Sequence, residues 1–307
     1  MAQESCKYLG QATLARRECV DGCRGVKLVV FRCAVFKDGC TIAKHAADTP
    51  CCADCIHRDP GPAVTPAALV DTSPKRWSYG VTTVPERKST LLPRTLESLK
   101  SAGFPSPRLF VDGVESGYEN ATYRWPRIGA FGNWWLGMVE LYVRDPNADL
   151  YAMFQDDIVL CRNVREYIDG CDLPKKAYFN LMTFPEVQPF LAKPGWNRSS
   201  QKGLGAVALV FPKEVLLKLL EQRNHFIDRP MATNGRATRC IDGGIVDAMG
   251  QAGIREYVHS PSLVDHTGTV SVVVPGMERP PWWRGHGFLG EQYDAATSFL
   301  KASVESV

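Results

Sequence analysis

The sequence lacks the features that mark membrane-spanning, exported or nucleic-acid-binding proteins. No apolar run approaches the roughly 18 residues that a membrane-spanning helix needs. The N-terminal Met1-Ala-Gln-Glu-Ser5 has no basic start followed by an apolar stretch, so no secretory signal peptide is predicted. Net charge is only +3 over 307 residues, which is too small to indicate nucleic acid or a membrane surface as a partner. We therefore expect a cytoplasmic protein without a membrane span.

Cysteine is concentrated at the start of the chain. Eight of the 11 cysteines lie between residues 6 and 55, and the other three are scattered over the rest. This asymmetry predicts a small module over residues 1–58, in which Val26–Arg32 is typical of a short strand. A segment this small buries little apolar surface and needs cross-links to fold.

The chemistry of those cross-links follows from the expected compartment. Without a secretory signal, clustered thiols favour a bound metal over disulfides, and thiolates at short spacing suit tetrahedral Zn²⁺. An iron–sulfur cluster would use the same ligands. Disulfides remain an alternative if the protein is exported by another route. His45 or His57 could replace one thiolate. The candidate zinc ligands are Cys19, Cys23, Cys33, Cys40, Cys52 and Cys55.

A proline-rich linker is predicted over residues 59–76, because four prolines fall between Asp59 and Pro74. The rest, residues 77–307, has the pattern of one α/β domain. Trp77–Thr83 and Arg108–Gly113 are predicted strands, and leucines at helical spacing predict a helix over Thr90–Ala102 between them. This order predicts a mostly parallel sheet flanked by helices, with ligands at the carboxyl ends of its strands.

Tyr151–Cys161 is an apolar run interrupted by Asp156 and Asp157, and it predicts a strand buried on both faces. Adjacent carboxylates repel each other and are costly beside a buried strand. Bound Mg²⁺ or Mn²⁺ would compensate both charges and could carry a diphosphate. The alternative is a polar loop in which both acids are solvated.

Further elements follow in order. Asn133, early in a helix predicted over Gly129–Tyr142, would either cap that helix or touch a ligand. Asp242 lies at a predicted helix start, where the helix dipole favours an acid in any protein. The other predicted elements are strands over Lys176–Thr183, Gly203–Phe211 and Tyr257–His266 and a helix over Pro212–Gln222.

The ordered motifs resemble those of a GT-A-type glycosyltransferase, a Rossmann-like fold that uses nucleotide sugars. The resemblance covers residues 77–270 and leaves out the cysteine module. Its motifs are the acidic triplet Gln155-Asp156-Asp157, the loop Thr82-Thr-Val-Pro-Glu-Arg87, Asp112, the glycine segment Gly203-Leu-Gly-Ala206, Asp242 in Ile-Asp-Gly-Gly, and Asp265-His-Thr-Gly268. The family usually has Asp-x-Asp where this chain has Gln-Asp-Asp.

The resemblance implies a role for each motif. Asp157 and His266 would hold Mn²⁺ or Mg²⁺ together with the donor diphosphate, and Asp242 would be the general base of an inverting transfer. The residues implied to bind the nucleotide sugar are Thr82, Thr83, Pro85, Arg87, Asp112, Asn133 and Asp156. For Arg87 the alternative is a solvated loop charge, and for His266 a buried core histidine.

Two other functions remain open at this stage. A nucleotidyltransferase would also use paired acids and a metal, but it needs a glycine-rich basic phosphate loop, and Thr82–Ser89 contains no glycine. A non-enzymatic zinc-binding adaptor would account for the cysteines but would leave Asp157, Asp242 and His266 unexplained.

The zinc hypothesis has a direct test. We expect elemental analysis of the purified protein to find zinc that survives dialysis, because thiolate-bound structural zinc dissociates poorly from a folded module. Iron in its place would indicate a cluster. Absence of any metal, together with complete loss of free thiols, would favour disulfides and contradict the hypothesis.

Overall fold

The computed structural model describes residues 9–16, 27–33, 41–45, 74–114, 117–186, 193–222, 241–268 and 283–300. The chain divides into two units, Met1–Val70 and Asp71–Val307. In the first unit, β1 (Leu9–Arg16), β2 (Lys27–Cys33) and β3 (Thr41–His45) form an antiparallel sheet in sequential order. The predicted short strand is confirmed as β2.

The second unit contains ten strands and five α-helices in its described ranges. The strands are β4 (Trp77–Thr83), β5 (Arg108–Asp112), β6 (Ala121–Arg124), β7 (Leu150–Gln155), β8 (Ile158–Leu160), β9 (Ala177–Asn180), β10 (Gly195–Arg198), β11 (Ala208–Pro212), β12 (Arg255–Ser260) and β13 (Val264–His266). The α-helices are α1 (Leu92–Ser101), α2 (Gly129–Arg144), α3 (Val164–Asp169), α4 (Lys213–Glu221) and α5 (Ile241–Gln251). A 3₁₀ turn (Pro85–Arg87) follows β4, and a π-helical turn (Ala296–Leu300) lies near the end. None of the described helices is long and apolar enough to cross a bilayer.

Eight strands form one mixed sheet in the order β10-β12-β9-β11-β7-β4-β5-β6. The strands β4, β5, β6 and β7 are parallel, and β9 runs with β7 because both pair antiparallel with β11. Since β12 is parallel to β9 and β10 antiparallel to β12, six of the eight strands point the same way. The predicted mostly parallel sheet is confirmed, and β4, α1 and β5 form the predicted strand–helix–strand unit.

Burial on both faces of the sheet explains why the central strand is so apolar. In β7, Leu150, Ala152 and Phe154 belong to one hydrophobic cluster, whereas Tyr151 and Met153 belong to the other. Alternate side chains of a strand point to opposite faces, so the two clusters are the cores on either side of the sheet. A continuous apolar strand therefore ends directly at the two aspartates.

Two predicted strands differ from the structure. The glycine segment before β11 is not part of it, because Gly203 and Gly205 have φ angles of +67° and +81°, in the left-handed region that a strand does not use. The strand begins only at Ala208. The predicted strand over Tyr257–His266 is two strands, β12 and β13, with Pro261 between them, and β13 leaves the large sheet to pair with β8.

Candidate functional site

The predicted site residues gather along one edge of the large sheet. The parallel strands β4, β5, β7 and β9 end at this edge, and the antiparallel strand β11 begins there. Asp112 is the last residue of β5, and Asp156 follows β7, which pairs with β4 up to Thr82 opposite Gln155. The carboxyl edge of the sheet is where ligands bind in folds of this kind.

Arg87 is the cation that compensates the paired acids. The 3₁₀ turn after β4 directs it inward, where the side chain is 6% exposed and Nη1 donates to Asp156 Oδ1 and to Asp157 Oδ2, the latter at 2.8 Å. Burial alone would lower the pKa of the guanidinium, but the charges of Asp157 and Asp156 raise that pKa overall. The interpretations of Arg87 as a solvated loop charge and of the acids as a solvated loop are both wrong.

Asp156 has a second partner on β4. Thr83 Oγ1 donates to Asp156 Oδ2 at 2.6 Å, so each carboxylate oxygen of Asp156 accepts a hydrogen bond from the β4 strand or the turn after it. Thr82 instead donates from Oγ1 to the Phe154 carbonyl at 3.3 Å, within the pairing of β4 and β7. Asp156 therefore anchors the turn that carries Arg87.

Asp157 lies against His266. Asp157 is fully buried and His266 is 5% exposed, and His266 Nε2 lies 3.3 Å from Asp157 Oδ2. The pairing of β13 with β8, in which His266 is opposite Ile158, brings these distant residues together, and Thr267 N donates to the Asp157 carbonyl at 2.8 Å. The sequence-predicted metal pair is thus adjacent in space.

The geometry around this pair fits a divalent cation. Two ligands at adjacent corners of an octahedral Mg²⁺ site would be about 3.0 Å apart, close to the observed separation. Gly268 leaves room beside them, since a Cβ there would lie 2.7 Å from Asp157 Oδ2 and 2.9 Å from His266 Cε1. One carboxylate and one imidazole are a partial shell, which phosphate oxygens and water complete in many Mg²⁺ sites.

Asp112, and not Asn133, binds the backbone amides at the start of α2. Asp112 accepts from the backbone amides of Ile128 and Gly129 at 2.8 and 2.9 Å, so Asp112 binds the first amides of α2. Asn133 lies inside α2 and donates to the Phe110 carbonyl at 2.7 Å, so the prediction that Asn133 caps the helix is wrong. Its Oδ1 is buried and accepts no hydrogen bond from the described part of the chain.

Asp242 lies in the first turn of α5, as predicted, and contacts the glycine segment. The amide of Gly205 donates to Asp242 Oδ2 at 2.8 Å. The neighbouring Gly203 packs directly on the helix start, because a Cβ at Gly203 would lie 2.9 Å from Gly243 Cα. The glycine segment and the start of α5 are therefore in direct contact.

Sequence reasoning missed two groups at this edge. Arg284 donates from Nη1 to the His266 carbonyl at 2.7 Å, although its segment showed only an aromatic and glycine-rich composition. A buried polar group formed by Asn180, Ser199 and Glu256 adjoins the glycine segment. Glu256 directly precedes the predicted strand over Tyr257–His266, so no local pattern singled it out.

The candidate zinc ligands lie almost entirely outside the described residues. Cys19, Cys23, Cys40, Cys52 and Cys55 are among the residues not described, and Cys33 is the last residue of β2. In the described part of the chain, no three potential His, Cys, Asp or Glu ligands are grouped for a metal. The zinc assignment stays a prediction.

No protein-family model matches the chain, and no curated protein matches its sequence. Several solved structures resemble part of it. A Drosophila beta-1,4-galactosyltransferase 7 mutant, in complex with manganese, UDP-Gal and xylobiose, is 12% identical and aligns over 62% of this chain and 71% of that chain with a TM-score of 0.33. Mannose-1-phosphate geranyltransferase from Thermus thermophilus is 14% identical. It aligns over 59% of this chain and 73% of that chain, with a TM-score of 0.34.

A glycosyltransferase involved in the glycosylation of the major capsid of PBCV-1 is 13% identical to this chain. It aligns over 63% of this chain and 94% of its own, with a TM-score of 0.35. At TM-scores below 0.5, this likeness supports no conclusion about fold or chemistry.

The buried ion pairs make Arg87 a stability determinant. We expect Arg87→Met to lower the free energy of unfolding by about 3–5 kcal/mol, because the substitution leaves two buried carboxylates without their cation. The matched control is Arg94→Met, which removes an exposed pair with Glu291 and should cost less than about 1 kcal/mol. Urea denaturation of both variants measures the difference, and equal small losses would contradict the assigned role of Arg87.

Proposed function

We propose that the chain is a glycosyltransferase that moves a sugar from a nucleoside diphosphate sugar to an acceptor hydroxyl, with a divalent metal and with inversion at the anomeric carbon. The main support is the buried cluster of Arg87, Asp156, Asp157 and His266 at the carboxyl edge of the sheet. Buried carboxylates that share one guanidinium and one imidazole are costly to assemble, and such clusters concentrate at functional sites.

The donor diphosphate would bind at Arg87, Asp157 and His266. Arg87 Nη2 is buried and has no hydrogen-bond partner among the described residues, so it is a donor suited to a phosphate oxygen. Asp157 and His266 would hold Mn²⁺ or Mg²⁺. The bound ion would supply positive charge that offsets the charge developing on the leaving diphosphate. Thr83 and Asp156 would orient the guanidinium for this contact.

Other residues at the same edge of the sheet would make the remaining contacts with the nucleotide. Pro85 lies beside Gly113, where a Cβ would approach Pro85 Cγ to 2.9 Å, so the turn and the end of β5 form one surface next to Asp112. Thr82 and Thr83 are the last two residues of β4, just before this turn. The buried Oδ1 of Asn133 is an acceptor in the helix that Asp112 begins. A nucleoside hydroxyl is the chemistry these two acceptors suit.

Asp242 would take the proton from the attacking acceptor hydroxyl. The amide of Gly205 fixes one of its carboxylate oxygens, so the carboxylate is held in a defined orientation relative to the glycine segment. Gly243 and Gly244, which follow Asp242 in the sequence, carry no side chain and would let an acceptor approach closely. A single base on the side opposite the leaving diphosphate gives direct displacement and inversion.

A nucleotidyltransferase is the alternative that uses similar acids. Such an enzyme needs a loop whose backbone amides surround phosphates. In this chain the loop after β4 is a 3₁₀ turn whose arginine faces the acids, and Thr82–Ser89 contains no glycine. The products separate the two reactions, since sugar transfer releases a nucleoside diphosphate and nucleotidyl transfer releases pyrophosphate.

The donor site is tested with a panel of UDP-, GDP- and CMP-sugars in the presence of Mn²⁺. We expect metal-dependent hydrolysis of at least one nucleoside diphosphate sugar, and we expect Asp157→Ala to abolish Mn²⁺-dependent binding of that donor in calorimetry. The control Asp172→Ala changes an exposed acid and should leave binding intact. Donor binding by Asp157→Ala equal to that of the unchanged protein would remove Asp157 from the metal site.

The base is tested with Asp242→Asn. Asn and Asp begin helices about equally well, so the melting temperature and the donor affinity should stay close to those of the unchanged protein. Turnover should fall by roughly 10²-fold or more, because the amide does not accept a proton. Undiminished turnover would exclude Asp242 from the mechanism, and a product that keeps the anomeric configuration of the donor would exclude direct inversion.

A further inference from the structure

We propose that Glu256 is a positioning residue that fixes the orientation of Asp242 through Asn180 and the peptide group between Leu204 and Gly205. This inference rests on the proposed role of Asp242 as the base. It assigns a function to a buried acid that lies on β12, away from the donor site and outside every motif in the sequence.

Glu256 is buried without an ion pair in the described ranges. It is 2% exposed, and its carboxyl oxygens accept hydrogen bonds from Ser199 Oγ at 2.5 Å and from Asn180 Nδ2 at 3.1 Å. A carboxyl group removed from water costs stability even when neutral partners bind it. An apolar side chain would fill this strand position at lower cost, so the retained acid indicates a purpose other than stability.

A continuous hydrogen-bonded connection leads from Glu256 to Asp242. Asn180 Nδ2 donates one proton to Glu256 Oε1 and the other to the Leu204 carbonyl at 3.0 Å. The amide of Gly205, in the same planar peptide group as that carbonyl, donates to Asp242 Oδ2 at 2.8 Å. Because the peptide group is rigid, holding its oxygen also fixes the direction in which its N–H points. Hydrogen bonds in such a series polarise one another.

The local backbone allows this peptide group little other freedom. Gly205 has a φ of +81°, and a Cβ at Gly205 would lie 2.7 Å from Phe184 Cε2, so Phe184 packs against the glycine. Asn180 is itself fixed, since its Oδ1 accepts from the Met182 amide at 3.2 Å. The connection therefore has Glu256 at one end and the peptide group of Leu204 and Gly205 at the other. Glu256 determines the position of the amide group of Asn180 between them.

The charges of the two acids also interact. Burial raises the pKa of Glu256, the hydrogen bonds from Ser199 and Asn180 oppose that rise, and the nearby charge of Asp242 raises it further. The burial of Tyr178, which lies beside Glu256 in the register of β9 and β12, raises its pKa as well, and the charges of Glu256 and Asp242 add to that rise. The two carboxyl groups thus share one low-dielectric environment.

The test compares two variants that break the connection with one that does not. Glu256→Ala removes the acceptor for Asn180, and Asn180→Ala removes the donor to Leu204. We expect each to lower turnover of the donor sugar found with the nucleotide-sugar panel by roughly 10- to 100-fold, because a small displacement of a base is costly. Donor affinity and the donor KM should stay unchanged, since Arg87, Asp157 and His266 are not altered. If Glu256→Ala does not fold, the turnover of Asn180→Ala alone tests the connection.

Two controls separate positioning from general structural damage. Ser199→Ala removes the other hydrogen bond to Glu256 but leaves the connection to Asp242, so turnover should be unaffected. Glu256→Gln keeps an oxygen for Asn180 and should restore most of the turnover lost in Glu256→Ala. A loss of turnover in Ser199→Ala equal to that in Glu256→Ala would overturn the inference.

A double-mutant cycle gives the decisive measurement. In the Asp242→Asn background, adding Asn180→Ala or Glu256→Ala should lower turnover no further, because the residue being positioned is already inactive. Equal losses in both backgrounds would overturn the positioning role. Normal turnover in Asp242→Asn alone would overturn the proposed role of Asp242 as the base, whereas normal turnover in both connection variants with a slow Asp242→Asn would overturn only the inference.

Discussion

Two adjacent carboxylates at the end of a strand buried on both faces are the constraint on which this edge of the sheet depends. Neither Asp156 nor Asp157 reaches bulk water, so the cost of their charges must be offset within the protein. Arg87, in the turn after β4, offsets that cost. Since β4 is the parallel neighbour of β7, this turn must be tight enough to direct the guanidinium back toward the sheet. The order of the strands and the chemistry of the site are therefore linked.

The division of work between the two acids follows from their contacts. One carboxylate oxygen of Asp156 accepts a hydrogen bond from Thr83 and the other accepts one from Arg87. These bonds tie the turn after β4 to the end of β7. Asp157 also accepts from Arg87, through the Oδ2 atom that lies 3.3 Å from His266 Nε2, and Gly268 keeps the neighbouring space open. In the proposed metal site the Gln-Asp-Asp motif would therefore supply one ligand, Asp157, while Asp156 supports the arginine.

Local pattern predicted the regular elements well and their long-range relations poorly. The apolar run of β7 and the leucine spacing of α1 depend on one or two neighbouring layers, so periodicity was enough to find them. The positive φ angles of Gly203 and Gly205 and the departure of β13 to β8 depend on distant packing partners, which no local window contains. For the same reason the sequence could not decide between a solvated and a site-directed Arg87, because its two carboxylate partners lie about 70 residues further along the chain.

The sheet also explains how distant residues can form one site. The cluster of Arg87, Asp156 and Asp157 follows β4 and β7. Gly205 instead precedes β11, which pairs antiparallel with β7 so that Ala208 is opposite Phe154. The glycine segment thus enters the sheet next to the place where the aspartates leave it. The contact of Gly205 with Asp242 then brings the start of α5 to the same edge. The buried cluster of Arg87, Asp156 and Asp157 lies on one side of this edge and the network of Glu256 and Asn180 on the other, and each is held by contacts within the chain. Preorganisation of this kind is what an enzyme needs if its polar groups are to stabilise a transition state without first being reoriented.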